Sequence, residues 1–400
     1  MQRLARLAFI ALILLALVLI PAASLGQPRA GDCQIGPDFA STLFIPYFEV
    51  DLDGPGGVTT LISVNNGLAS EVLTRVVLWT DWGVPTLAFD VYLVGFDVQT
   101  INLRSVFNGV VPSTGEGADL SAFPFCGGLP PFHANPILSV DEQNQLAADH
   151  QGFAGPLASD CAGAFYGDGI ARGYITIDTV DECSGVEGFG PVFTPANTSY
   201  PYFADGDASG IGVNRNQLWG DYIYVDFNED SAQGSEAIAL WSDATQFGAG
   251  RQFTFYGRFS DWDGRDNRVP LPEWWNQRFL NGGPFAGGAD LIVYHDPMSP
   301  PDSPLCGDTP AWWPIASQAA SIDESADNVI TLGNGFFPNV TQRVAVSDLA
   351  IPYDFGWIQI TQENHQTWVQ PTLAAGGRFS AAFNGTPVTF LCDQTPPMMP

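Results

Sequence analysis

The chain has 400 residues, with 43 Asp and Glu against 14 basic residues, and a formal charge of −29. All of the basic residues are Arg, and a field of that sign repels nucleic acid and anionic lipid, so nucleic acid is not expected as a partner. Only 14% of residues are charged and 46% are hydrophobic. That balance is closer to an ordinary extracellular β-protein than to a salt-adapted surface saturated with carboxylates.

Arg3 and Arg6 precede an unbroken apolar run, Leu7–Ile20, and Pro21, Ala22, Ala23, Ser24 and Gly26 follow it. This is the layout of a secretory signal peptide over residues 1–26, with cleavage after Gly26. The run is short for a permanent anchor, which needs roughly 20 apolar residues. No second long apolar run occurs, so the mature chain is expected without a membrane span, secreted or in the cell envelope (extracellular or periplasmic). Six cysteines follow the leader: Cys33, Cys126, Cys161, Cys183, Cys306 and Cys392. An even count in an exported chain reads as disulfide bonds, and zinc is disfavoured by the lack of close C-x-x-C pairs. Cys161 and Cys183 flank one compact segment and are expected to pair. The partners of Cys33, Cys126, Cys306 and Cys392 stay open.

Residues 33–110 read as a first β array. Its strands are Thr42–Val50, Val58–Asn66, Glu71–Asp81 and Ala88–Thr100. Asp53-Gly54-Pro55-Gly56-Gly57, Asn65-Asn66-Gly67 and Trp82-Gly83-Val84-Pro85 separate them. β-Branched and aromatic runs bounded by such residues predict consecutive antiparallel strands. Glu71–Asp81 is apolar on both sides, which predicts a strand covered on both faces. Asn102 is placed to cap a short helical turn, Leu103–Phe107.

Residues 111–215 read as a loop-rich insertion with one helix and one strand. Ser139 and Glu142 form a capping box for a helix over Val140–His150, and Gly152 lies just past its end. The strand is Gly173–Val180. Residues 216–392 form a second β array with Trp219–Asn228, Glu236–Asp243, Arg251–Ser260 and Gly288–His295. It echoes the first array: Leu240-Trp241-Ser242-Asp243 is similar to Leu78-Trp79-Thr80-Asp81. Pro272 and Asn281-Gly282 frame a predicted short helix, Pro272–Leu280. Strands return at Val340–Val346, Gly356–Gln362, Thr367–Val369, Arg378–Asn384 and Val388–Cys392, before a tail at 393–400. The fold class expected is all-β, with antiparallel sandwich-like sheets, two related strand arrays and a small helical excursion.

Familiar catalytic signatures are missing: no G-x-S-x-G, H-E-x-x-H, P-loop or dinucleotide fingerprint occurs. His133, His150, His295 and His365 are scattered and read as surface or loop residues. Asp205, Asp207 and Ser209 place oxygen donors at alternate positions of a Gly-containing turn, as a Ca²⁺ loop does. Asp261, Asp263 and Asp266 form a second such loop. Asp and Gly equally make plain turns. A glycosidase would need two acids across a groove, and Asp51, Asp53, Asp226, Glu229, Asp261 and Glu273 all lie near strand ends or loops. Trp262, Trp274, Trp275, Trp312 and Trp313 stand in loop-like or short helical contexts, where flat indoles can stack on a ligand such as a sugar ring. Aromatic residues equally fill cores.

Leu218-Trp219-Gly220-Asp221-Tyr222, Asp266-Asn267-Arg268-Val269-Pro270-Leu271-Pro272, Gly287-Gly288-Ala289-Asp290-Leu291-Ile292-Val293 and Phe355-Gly356-Trp357 resemble segments of an uncharacterised family of exported bacterial proteins. The resemblance implies bacterial export and carries no activity. The expected role is that of a secreted or cell-surface, non-enzymatic protein with a structural or binding function. Its expected partners are cell-envelope components, glycans or further copies of itself. A carbohydrate-binding module and a secreted polysaccharide hydrolase are the alternatives.

Overall fold

Runs rich in Val, Ile, Phe, Tyr and Trp become strands here, and the Gly, Pro and Asn clusters between them become turns. The computed structural model describes residues 39–114, 138–152, 161–163, 166–181, 187–188, 212–213, 215–242, 271–286, 288–296, 313–315, 318–323, 329–332, 336–361, 366–375, 380–382 and 385–387. The strands of the first part are β1 (Thr42–Asp51), β2 (Val58–Asn66), β3 (Val72–Trp79), β4 (Pro85–Leu93), β5 (Val98–Asn102), β6 (Ile170–Val180) and β7 (Glu187–Gly188). Then come β8 (Leu218–Asp226), β9 (Ser231–Glu236), β10 (Ile238–Leu240), β11 (Trp274–Leu280), β12 (Ala289–His295), β13 (Gln318–Asp323) and β14 (Val329–Leu332). The last are β15 (Thr341–Ala345), β16 (Phe355–Thr361), β17 (Thr367–Ala374), β18 (Ser380–Ala382) and β19 (Thr386–Pro387).

Among the described residues the strands form four antiparallel sheets, and the fold is all-β with a small helical part. A six-stranded sheet in the order β10-β1-β6-β3-β4-β7 lies at the centre. One of its faces presents Ile45, Val76, Leu78, Phe89 and Ile177 to Ile62, Val64 and Tyr222 of the sheet β5-β2-β8-β9. The other presents Phe44, Leu73, Val77, Trp79 and Tyr174 to a second core. That core takes Leu291, Val293 and Val369 from the sheet β15-β12-β17-β18, and Trp275, Ile358 and Ile360 from β14-β13-β16-β11-β19. All eight residues of β3 are buried, as its two apolar faces require. Each large side chain in these cores contributes roughly 1.5–3 kcal/mol.

Local signals hold where they are strongest. Helix α1 (Leu103–Phe107) starts at Asn102, whose side chain accepts from Arg104 N at 3.0 Å. Helix α2 (Val140–Gln151) has the capping box in full: Ser139 N donates to Glu142 Oε2 at 2.6 Å and Glu142 N to Ser139 Oγ at 3.3 Å. It ends on Gly152 in the left-handed region, φ 66°. A bulge in β1 sets Ile45 opposite Ile175 but Phe48 opposite Gly173. The extra residue lets Ile45 and Phe48, three apart, enter the same core.

Several expectations are corrected. The strands of the first array are not a meander: β1 pairs with β6 and β10, and β2 with β5 and β8. Within that array only β3 and β4 are both consecutive and paired. Ala88–Thr100 is two strands in different sheets, broken at a turn where Phe96 has φ 61°. Glu236–Asp243 is likewise split, into the end of β9 and β10. Pro272–Leu280 is strand, not helix: β11 pairs with β16 from Trp274↔Thr361 to Leu280↔Phe355. The central sheet draws β1, β3 and β4 from the expected first array, β6 and β7 from the insertion and β10 from the second array. The echo between arrays is not kept in space, because Leu78 sits in central β3 and Leu240 ends the outermost strand β10. Arg251–Ser260 and Val388–Cys392 lie outside the described residues. No helix among the described residues is long and apolar enough to cross a membrane.

Candidate functional site

β1, β9, β12, β15 and β17 meet along a seam between three sheets, and Arg343 of β15 is its hub. Its guanidinium lies 2.6 Å from Glu49 of β1 and 2.8 Å from Asp290 of β12. It also donates to Gln233 and Thr372, both at 3.3 Å. Burial opposes the charge, but Glu49 and Asp290 outweigh it and hold the Arg343 pKa above its ordinary value. Beside it, Tyr222 OH donates to Gln370 Oε1 at 2.6 Å and Tyr224 OH to Tyr47 O at 2.9 Å. A cleft of about 320 Å³ opens over the seam, lined by Glu49, Tyr224, Asp226, Glu229, Asp230, Gln233, Arg343 and others. The volume is at the small end for ligand sites.

The chemistry available in this cleft is limited. Arg343 is already neutralised, so it offers no anion site. Asp226 accepts from Asn228 N at 2.9 Å and Glu229 N at 3.1 Å, which makes it the organiser of its own turn. Asp226 and Glu229 therefore share one turn rather than facing each other across a groove. Asp51 has a similar task, accepting from Asp53 N and Gly54 N. Among the described residues no group of three or more His, Cys, Asp or Glu can hold a metal ion.

A second polar cluster locks the turn after β3 to the C-terminal part. Asp81 Oδ1 accepts from Gly163 N at 2.8 Å, and Oδ2 from Tyr166 OH at 3.1 Å and Asn339 Nδ2 at 2.9 Å. Trp313 Nε1 donates to Asn339 Oδ1 at 3.0 Å and its ring meets Trp82 edge-on at 5.8 Å. Burial raises the Asp81 pKa to about 6 despite these donors. Histidine 150 is also buried, between Phe48 and Phe107. Its Nδ1 must donate to the carbonyl of Arg172 at 2.8 Å, which leaves Nε2 to accept from Thr86 Oγ1 at 2.7 Å. Burial lowers its pKa to about 4.

These two groups oppose each other in pH. Asp81 binds its proton more tightly folded than unfolded, so its contribution is largest below pH 3.8 and is lost as pH rises through about 6. His150 binds its proton less tightly folded, so its contribution is full above pH 6.5 and is lost as pH falls through about 4. Each shift corresponds to roughly 3 kcal/mol. Urea titrations from pH 4 to 6.5 should show stability falling with pH in His150→Gln and rising with pH in Asp81→Asn, relative to the parent. The same slope in all three proteins would contradict these assignments.

The molecule's other unusual feature is outward. On the free face of β5-β2-β8-β9, Trp219 (45% exposed), Ile223, Leu61 and Val98 are exposed. Between them runs the row Thr100–Ser63–Asp221–Glu236. Partial burial raises the Asp221 carboxyl above its usual range. On the free face of β11 and β16, Trp357 (42% exposed) stands opposite Arg278, and Phe355 opposite Leu280. Gln359 Nε2 donates to Asn276 Oδ1 at 3.1 Å on the same face, with Trp274 opposite Thr361 next to them.

The residues expected to form sites are distributed as follows. Trp274 is on this outward face, but Trp275 is a wholly buried core residue, Nε1 donating to Thr367 O at 3.0 Å. Strand alternation separates these neighbours. Trp313 is a packing residue against Trp82. Trp262 and Trp312, and both Ca²⁺ loops (Asp205, Asp207, Ser209; Asp261, Asp263, Asp266), lie outside the described residues. So does Cys183, while Cys161 is wholly buried with Sγ 3.4 Å from Asp149 Oδ1. His150 and His295 are buried rather than on the surface. The seam residues and the exposed Trp219 and Trp357 are not among the residues that the sequence singles out as sites. Period-2 alternation in Leu218–Asp226 and Phe355–Thr361 is the signal that exposes them. No family model, curated protein or solved structure matches the chain.

Proposed function

We propose that this is an exported bacterial protein, secreted or held in the cell envelope, that acts by binding or structural contact and not by catalysis. One observation carries the reading. Apolar and aromatic side chains are displayed on the outer faces of two sheets, while the polar groups of the seam and of the Asp81 cluster are engaged with one another. Exposed apolar surface of this kind marks contact sites. Export is supported by the leader-like N-terminal sequence.

A glycan-binding role is the second reading. The Asn276–Gln359 amide pair beside Trp274 and Trp357 favours it, since indoles can stack on sugar rings while amides bind hydroxyls. A panel of polysaccharides tests both readings by reducing-sugar release and by retention of the protein. No sugar release is expected. Retention, where it occurs, should fall on the order of tenfold in Trp357→Ala, with an unchanged melting temperature. Sugar release abolished by one Asp or Glu substitution would overturn the non-catalytic reading.

A further inference from the structure

Two sheet faces of this protein are partly apolar and opposite in charge. On β5-β2-β8-β9 the outward charges are acidic, Asp221 and Glu236, set among Trp219, Ile223 and Leu61. On β11 and β16 the outward charge is basic: Arg278 stands beside Trp357, and the other outward positions of these two strands carry no acid. Arg278 has no ion-pair partner among the described residues. In a chain of charge −29 a face whose only charge among the described residues is Arg is a local exception.

We propose that the β5-β2-β8-β9 face of one copy docks on the β11–β16 face of the next, so that the exported chain assembles head to tail. This rests on the contact role proposed above and names its partner as a second copy of the chain. Charge complementarity argues for this occupant, since Asp221 and Glu236 match Arg278 while the apolar side chains around them supply the buried contact. The two faces are different surfaces, so each added copy leaves one face of each kind unfilled. Such a contact is heterologous and leads to rings or filaments, not to a closed twofold dimer. Strands of five, nine, nine and six residues, at about 3.4 Å per residue and about 4.8 Å apart, give a face of roughly 470 Å². That is at the low end for specific association, so assembly is weak and depends on concentration.

Sedimentation velocity on the chain purified after export, across a concentration series, tests the proposal. Mass should rise with concentration beyond that of a dimer. Asp221→Arg sets two Arg-bearing faces against each other, and Arg278→Asp sets two acidic faces against each other. Each variant alone should associate on the order of tenfold more weakly or worse, with an unchanged melting temperature. Mixed in equal amounts, the two variants should regain assembly, because each then offers the face that the other needs. A strict monomer at every concentration, a mass that stops at the dimer, or a mixture no better than its parts would each overturn the proposal. Retention on a polysaccharide through Trp357 by a strictly monomeric protein would assign the β11–β16 face to glycan. That result leaves the contact role standing and removes self-assembly.

Discussion

Arg343→Met should lower the unfolding free energy by about 3–5 kcal/mol, the usual cost of leaving buried partners of an ion pair uncompensated. Arg343 is the one cation reaching both Glu49 and Asp290 among the described residues, and those carboxylates come from different sheets. Without it, two largely buried carboxylates face each other across the seam. Adding Glu49→Gln and Asp290→Asn to Arg343→Met should recover part of the loss by removing the stranded charges. Arg343→Lys should recover little, because a compact ammonium cannot span the geometry of a planar fork. Urea midpoints at constant slope measure all of these. A loss below about 1 kcal/mol in Arg343→Met would mean that the seam acts as a solvated surface pair.

Trp275→Ala should cost about 3–5 kcal/mol, the range for truncating a buried aromatic residue. Its ring lies 4.9 Å from that of Trp368, and Gly385 packs so closely that a Cβ there would stand 2.8 Å from the Trp275 ring. A cavity at this point cannot close without moving the β17 backbone that accepts the Trp275 Nε1 hydrogen bond. Trp357→Ala, on the outer side of the neighbouring strand, should cost less than about 1 kcal/mol. Thermal and urea unfolding of the two variants compare them directly. Equal losses would contradict the assignment of one indole to the core and the other to the surface.

What the sequence reveals depends on how local the cause is. The capping box at Ser139 and Glu142, the Asn102 cap and the doubly apolar β3 depend on residues a few positions apart, and each is formed as read. β11 does not read as a strand in the sequence because Pro272 and Asn281-Gly282 resemble helix punctuation. Its alternation of Trp275, Gln277 and Phe279 inward is also blurred by a buried Gln. β13 carries two Ala and two Ser or Gln in six residues, a weak strand sequence that pairing with β14 and β16 overrides. The seam is further out of reach, since Glu49 and Arg343 are 294 positions apart in the chain. For Trp219 and Trp357 the alternation is visible, but both sides of each strand carry aromatic or aliphatic residues. Which side meets solvent depends on which sheet packs behind it.

The contact role stands on where the molecule meets others, and site-directed photo-crosslinking in the exporting cell reads that location. A photo-reactive residue replaces Ile223 on one outward sheet face, Trp357 on the other, or Glu229 at the mouth of the cleft, in separate proteins. Adducts are expected from positions 223 and 357 and none from position 229. Adducts confined to position 229 would place the working surface in the cleft and contradict the account.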